Sequence, residues 1–211
     1  NGTSPSSNGY AGLQILEGKV VLKGAGKDDT VVNQTQPTCI GNSWRDQSAG
    51  AELEIEDVTF NQGGPMRQFH VGAGVYSGAP NSPKLMVRNA NVYGNTLSVG
   101  NGTTRMYPEV YISNSLVKME YAVNFGSASD NVYPKVVIDE GGELHLSRAN
   151  SVSYGLSLNR NVDVVVKNGG CLSSALGGAE ANNYAGLVLE ENSFGTLLVE
   201  NGGKLKIDKI T

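Results

Sequence analysis

A short pattern of alternating hydrophobic and polar positions recurs seven times along the chain. Each copy has aliphatic residues at alternate positions, followed by Asn, Asp or Glu, and the copies lie at 13–17, 53–57, 85–89, 110–114, 136–140, 164–168 and 197–201. We call their central aliphatic residues anchors: Ile15, Ile55, Val87, Ile112, Ile138, Val166 and Val199. The anchors are 40, 32, 25, 26, 28 and 33 residues apart, and repeats of this length indicate stacked structural units.

The charged residues around the anchors predict how the units stack. Three residues before the anchor, successive copies carry Glu52, Lys84, Glu109, Lys135, Asp163 and Thr196. One residue after it, they carry Glu56, Arg88, Ser113, Asp139, Lys167 and Glu200. Because neighbouring strands lie about 4.8 Å apart, the alternating signs favour this register, although each exposed pair contributes only ~0.2–1 kcal/mol. The aliphatic columns predict a long, narrow core.

Two further strands per unit follow from the same alternation. A second strand is predicted at 69–71, 97–99, 123–125, 156–158 and 187–189, and a third begins near 58, 92, 117, 144, 172 and 205. No helical period is long enough for a helix. We therefore predict an all-β fold, a single-stranded right-handed parallel β-helix of about seven coils with three short strands per coil. A two-sheet antiparallel sandwich is the alternative.

Composition adds to this picture. The 28 glycines suit the corners of a solenoid, and the pairs Gly141-Gly142, Gly169-Gly170 and Gly202-Gly203 stand where the chain must turn with positive φ. A net charge of −4 without a basic stripe argues against nucleic acid as a partner, and no apolar run is long enough for membrane insertion.

We expect one parallel β-helix domain over 1–211, with a flexible segment at 1–9. The uncapped last strand predicts a piece of a larger protein.

Four segments carry a resemblance to known families. Residues 19–32 (KVVLKGAGKDDTVV) resemble the opening coil of pectin-lyase-like right-handed β-helices, and residues 51–60 resemble the next coil. Residues 167–172 (KNGGCL) and 200–207 (ENGGKLKI) resemble the repeats of bacterial surface adhesins and autotransporter passengers. The resemblance implies this fold over nearly the whole chain. Its motifs define corners and strands, so they do not imply an activity.

The catalytic motifs of related β-helix enzymes are not found. A polygalacturonase-like site needs clustered Asp residues and a His between glycines, whereas the chain has only His70 and His145, neither flanked by Gly. We expect His70 to be a solvated residue at the sheet edge. Cys39 and Cys171 are separated by four windings, or roughly 20 Å, which is too far for a disulfide.

Metal binding is a possibility that the sequence does not predict. Calcium-dependent pectate lyases hold their metal with several carboxylates. The only comparable acidic groups here are Asp139, Glu140 and Glu143, and the pair Glu190 and Glu191. Since Asp139 belongs to a charged column and the others flank corners, we expect no cofactor, with calcium possible.

The candidate binding residues cluster in the segments that lead into the anchor strands. Tyr107 and Tyr133, each followed by Pro, occupy equivalent points of consecutive coils. Such rings beside polar groups can stack on sugars and bind their hydroxyls, or they can merely shield the strand below. The candidate ligand-binding residues are Tyr76, Arg105, Tyr107, Asp130, Asn131, Tyr133 and Trp44.

One outward column turns apolar. Immediately before the anchors stand Met86, Tyr111, Val137, Val165 and Leu198. Strands that are apolar on both faces are normally covered on both. We expect the chain's own loops, an adjacent domain or another subunit to cover this face.

These observations predict a non-catalytic bacterial module, secreted or on the cell surface, for adhesion or carbohydrate binding. Its partner would be a glycan or another host or cell-surface polymer. The alternatives are a polysaccharide lyase or glycoside hydrolase with an atypical site, and a structural spacer or phage tail fragment.

Overall fold

The computed structural model of the protein describes residues 12–42, 50–63, 68–74, 82–102, 105–127, 129–147, 155–175, 187–189 and 195–208. Within these ranges every helix or strand assigned is a β-strand, and all described strand pairings are parallel. The fold is therefore a parallel β-solenoid, as predicted, and the antiparallel sandwich is excluded. The segment 1–9 lies outside the described residues.

The anchor strands form one sheet of seven strands. These are β2 (Lys19–Lys23), β5 (Glu52–Glu56), β8 (Lys84–Arg88), β10 (Glu109–Ser113), β12 (Lys135–Ile138), β15 (Asp163–Val166) and β18 (Thr196–Val199). Each strand pairs with the corresponding strand of the next winding. The predicted register is confirmed: Lys84 is paired with Glu52 on one side and with Glu109 on the other.

The remaining strands form a second, twelve-stranded sheet. They are β1 (Leu13–Ile15), β3 (Val31–Gln34), β4 (Thr38–Asn42), β6 (Thr59–Gln62), β7 (Gln68–Gly74), β9 (Asn91–Gly102), β11 (Leu116–Phe125), β13 (Glu143–Ser147), β14 (Leu156–Leu158), β16 (Cys171–Ala175), β17 (Leu187–Leu189) and β19 (Lys204–Ile207). The predicted second and third strands of each coil are both confirmed here. In β9 and β11 they run together as one long strand, and the β9–β11 register shifts between Met119 and Ala122.

The first anchor was assigned to the wrong sheet. Ile15 pairs with Ile40 in the twelve-stranded sheet, whereas Leu22 pairs with Ile55 and is the true first member of the anchor column. The solenoid makes about five turns, slightly fewer than the seven coils expected.

The core lies between the two sheets. Aliphatic residues from every winding stack into it, together with Phe60 and Phe69, whose ring centroids are 5.5 Å apart. Burial of this apolar surface is the main stabilising contribution. Cys39 and Cys171 are both buried free thiols, so the prediction that they form no disulfide is confirmed.

Corners with a left-handed backbone follow the anchor strands. In the later windings glycine occupies this corner, as at Gly141, whose φ is 65°. In earlier windings Asp57, Asn89 and Asn114 adopt positive φ instead. Their side chains form a ladder, since the Asn89 amide donates to Asp57 at 2.6 Å and the Asn114 amide donates to Asn89 at 3.0 Å. These hydrogen bonds between windings compensate for the unfavourable backbone.

Candidate functional site

Two tyrosines on consecutive windings are brought together by the turns that precede β10 and β12. Met106 and Val132 form a parallel bridge, in which Met106 N donates to the Asn131 carbonyl and Tyr133 N donates to the Met106 carbonyl. The side chains of Met106 and Val132 are fully buried. The next residue on each turn, Tyr107 or Tyr133, is therefore held at an equivalent point, as predicted.

The two rings stack on each other. Their centroids are 5.3 Å apart and their planes differ by 16°. Arg105 Nε donates to the Tyr107 hydroxyl at 2.7 Å, and its guanidinium group lies 5.8 Å from the centre of that ring. One face of each ring is thus occupied within the protein. Tyr133 nevertheless remains 40% exposed, and the Tyr107 hydroxyl still has a proton to donate.

Polar residues of the next winding extend this surface, which we call the tyrosine patch: Arg105, Tyr107, Asp130, Asn131, Tyr133, Arg160 and Asn161. Arg160 Nη1 lies 2.5 Å from the Asp130 carboxylate, and the Asn161 amide donates to the Asp130 carbonyl at 3.1 Å. Arg160 and Asn161 were not predicted, although their position one winding after Asp130 could have indicated them. Tyr76 and Trp44 lie outside the described residues.

A second polar site was missed by the sequence analysis. It is a pocket of about 250 Å³ near the shift in the β9–β11 register, lined by Asn61, Tyr93, Lys118 and Glu120 among others. Asn61, Tyr93 and Lys118 are register partners on three consecutive windings. Their shared column could have been found from the third-strand alignment. The register shift between Met119 and Ala122, where Glu120 lies, leaves no such signal.

His70 is buried, so the expectation of a solvated edge residue is wrong. Its side chain is 7% exposed and its Nε2 lies 2.9 Å from Gln68 Oε1. Its register partners Cys39 and Ser98 are buried as well, so this outer column is covered. Burial lowers the pKa of His70 and raises the pKa of Cys39 to about 12. Both groups are therefore neutral at pH 7, which does not suit a thiolate nucleophile.

Of the acidic residues considered for calcium, Asp139 is engaged in other contacts. Lys167 Nζ lies 2.9 Å from Asp139 Oδ2, and the Glu140 amide donates to Asp139 Oδ1 at 2.9 Å. Among the described residues no group of three or more His, Cys, Asp or Glu side chains is placed to hold a metal ion. Glu190 and Glu191 lie outside the described residues.

The apolar outward column is partly covered by charged side chains of its own sheet. Lys84 Nζ lies 5.5 Å from the ring centre of Tyr111, and Arg88 Nη2 lies 4.0 Å from Met86 Sδ. Long cationic side chains can cover apolar surface with their aliphatic stems. Val137 is buried, while Leu198 at the end of the sheet is 48% exposed. Cover by an adjacent domain or subunit stays a prediction.

Comparisons with known proteins give no relative for this chain. The described residues form no helix that is long and apolar enough to cross a membrane. No protein-family model, curated protein or solved structure matches the chain.

Proposed function

We propose that this protein is a non-catalytic extracellular or cell-surface module that binds carbohydrate, similar in kind to the pectin-lyase-like β-helices of bacterial adhesins. The observation that carries the proposal is the stacked pair Tyr107 and Tyr133, held on consecutive windings in an exposed turn. A rigid scaffold that positions loop residues at fixed spacing is a common basis for binding.

The chemistry of the tyrosine patch suits a sugar polymer. The exposed part of Tyr133 offers an apolar surface for the C–H groups of a pyranose ring, and phenol hydroxyls can donate to or accept from sugar hydroxyls. Arg105 and Arg160 add planar guanidinium groups, which can pair with hydroxyls or with the carboxylates of acidic sugars. Because the turn is anchored by buried Met106 and Val132, little ordering entropy would be lost on binding.

The arrangement of acidic residues at the tyrosine patch and at the pocket favours binding over catalysis. Hydrolysis of a glycosidic bond ordinarily requires two carboxyl groups facing the same bond. Asp130 in the tyrosine patch is paired with Arg160, and Glu120 is the one acidic residue lining the described pocket. Neither arrangement supplies an acid and a base together.

The test is a glycan array, followed by calorimetric titration of the best ligand with wild-type protein and variants. Tyr133→Ala should weaken binding by about 1 kcal/mol, or about fivefold, and Tyr107→Phe by a similar amount because it removes one hydrogen bond. Tyr121→Ala is the matched control, since Tyr121 is a half-buried tyrosine outside the patch. Failure of the wild type to bind any glycan would contradict the proposal. Release of unsaturated or shortened sugars would favour the enzymatic alternative.

A further inference from the structure

The stacked rings of Tyr107 and Tyr133 are also placed for a covalent reaction with each other. Their centroids are 5.3 Å apart and their planes differ by 16°. The other tyrosines in the described part of the chain, Tyr93, Tyr111 and Tyr121, make no ring contact with a tyrosine there. Within the described residues the pair is therefore the place where two phenol rings can be joined by a carbon–carbon bond.

The backbone keeps the two rings together. The residues just before them, Met106 and Val132, form a parallel bridge, and Tyr133 N donates to the Met106 carbonyl at 2.9 Å. The side chains of Met106 and Val132 are fully buried. Groups that a fold holds side by side react as if each were present at a very high local concentration. A reactive form of one ring would thus meet the other ring before it met a ring on a second molecule.

The pair is accessible to an oxidant in solution. Tyr133 is 40% exposed, and Tyr107 is half-buried beside it. Arg105 Nε donates to the Tyr107 oxygen at 2.7 Å, so that contact does not use the hydroxyl proton of Tyr107. Loss of one electron and this proton would convert the phenol to a neutral radical, in which the unpaired electron is shared between the oxygen and the ring carbons ortho and para to it.

We infer that Tyr107 and Tyr133 form a dityrosine cross-link when the protein meets hydrogen peroxide and a peroxidase. Each phenol loses one electron and one proton, and the two radicals couple at ring carbons ortho to their oxygens. The hydrogen atoms on those two carbons then move to the oxygens, so both rings become phenols again. Overall two ring C–H bonds break and one C–C bond forms. The two electrons and two protons reduce one hydrogen peroxide to two waters.

The cross-link would fasten one winding of the solenoid to the next. It would close the loop between residues 107 and 133, and such a link stabilises a fold largely by restricting the unfolded chain, as a disulfide does. The two cysteines provide no link of this kind, since Cys39 and Cys171 are buried free thiols. This inference is independent of the proposed carbohydrate binding.

The test treats the dilute 211-residue protein with a haem peroxidase and an equimolar amount of hydrogen peroxide. We expect the blue fluorescence of dityrosine on a species of monomer size, a mass lower by two hydrogen atoms, and a peptide pair joined through Tyr107 and Tyr133. The cross-linked protein should also unfold at a higher urea concentration than the untreated protein.

Two variants make the test specific. Tyr133→Phe keeps a ring at this position but lacks the phenol, and it should give at least about tenfold less of the monomeric cross-linked product. Tyr121→Phe is the matched control, since Tyr121 is a half-buried tyrosine outside the patch, and it should cross-link as the wild type does. Circular dichroism of each variant would show that it is folded.

Three results would overturn the inference: oxidised wild type without a link between Tyr107 and Tyr133, a yield of the monomeric product that Tyr133→Phe leaves unchanged, or a yield that Tyr121→Phe lowers as much as Tyr133→Phe does. Glycan binding is measured on the untreated protein, so the failure of one proposal is distinguishable from the failure of the other.

Discussion

Lys84 Nζ lies 3.0 Å from Glu109 Oε2, on the next winding of the solenoid. Both side chains are about one-third exposed, so this pair contributes at most about 1 kcal/mol to stability. Its larger effect is on register. A slip of one residue would turn the buried face of the strand outward and move Lys84 away from its partner.

Core residues should therefore affect stability far more than the charged residues that pair between windings. Ile112 is fully buried, and Ile112→Ala should lower the free energy of unfolding by about 2–5 kcal/mol. Lys84→Ala should cost about 1 kcal/mol or less. Urea unfolding followed by circular dichroism measures both. Equal losses in the two variants would contradict this, because they would show that the charged pair contributes as much as the buried core residue.

Glu54 is expected to be an exception among the charged residues. It is only 6% exposed, and its carboxylate lies 2.5 Å from Lys19 Nζ and 2.9 Å from Arg88 Nη1. Glu54→Ala leaves both cations without this partner and should cost about 1.5–3 kcal/mol. Glu56→Ala is the matched control, since its pair with Lys23 is more exposed and should cost less than about 1 kcal/mol. Similar losses for the two variants would refute this difference.

Stability should decrease in acid. The hydrogen bond from Lys19 lowers the pKa of Glu54, and the hydrogen bond from Lys167, together with the Glu140 amide, lowers the pKa of Asp139. A carboxylate whose pKa is lower in the folded state stabilises the fold above its unfolded pKa, near 4, and this contribution is lost as pH falls through the folded pKa. The urea midpoint should therefore drop between pH 6 and pH 3.

A double variant provides the control for this pH dependence. Glu54→Gln with Asp139→Asn removes both titrating groups, so its urea midpoint should change less over the same pH range than that of the wild type. If the wild type were as stable at pH 3 as at pH 6, the carboxylates would not have the assigned role.

Gly100 should be sensitive to substitution for two reasons. Its φ is 78°, and an added Cβ would lie 2.6 Å from Val132 Cγ1, in the turn that supports the tyrosine patch. Gly18 has a similar φ of 72° but no heavy atom within 4 Å of the added Cβ. Gly18→Ala should cost about 1–2 kcal/mol from backbone strain alone. Gly100→Ala should cost about 1 kcal/mol more, from overpacking, in thermal or urea unfolding; equal costs would contradict the close packing.

The sequence was sufficient to predict the stacking of the windings, because the hydrophobic positions and the alternating charges give the same alignment of successive windings. The error at Ile15 arose because 13–17 and 19–23 both alternate. The charge columns could have resolved it. Aligning Leu22 with Ile55 places Lys19 beside Glu52 and Lys23 beside Glu56, whereas Ile15 places uncharged residues there.

Features outside the strands were harder to predict. The equivalence of Tyr107 and Tyr133 followed from their matching distance to the anchors, but their mutual stacking depends on ring orientation, which no pattern encodes. The burial of His70 depends on what covers the outer face of its sheet, and alternation along a strand carries no information on that cover. The pocket near Glu120 lies at the register shift between Met119 and Ala122, which the spacing of hydrophobic residues does not encode.

The register of the windings is the claim on which the tyrosine patch depends, and disulfide cross-linking tests it most directly. Registered strands place their Cα atoms about 4.8 Å apart, within disulfide range, whereas a displacement of four residues adds roughly 13 Å along the strand. Cysteines in the Lys84→Cys/Glu109→Cys protein should therefore form a disulfide on mild oxidation, as seen by peptide mapping. The Arg88→Cys/Glu109→Cys protein should not. Cross-linking of the second pair in preference to the first would contradict the parallel register described for β8 and β10.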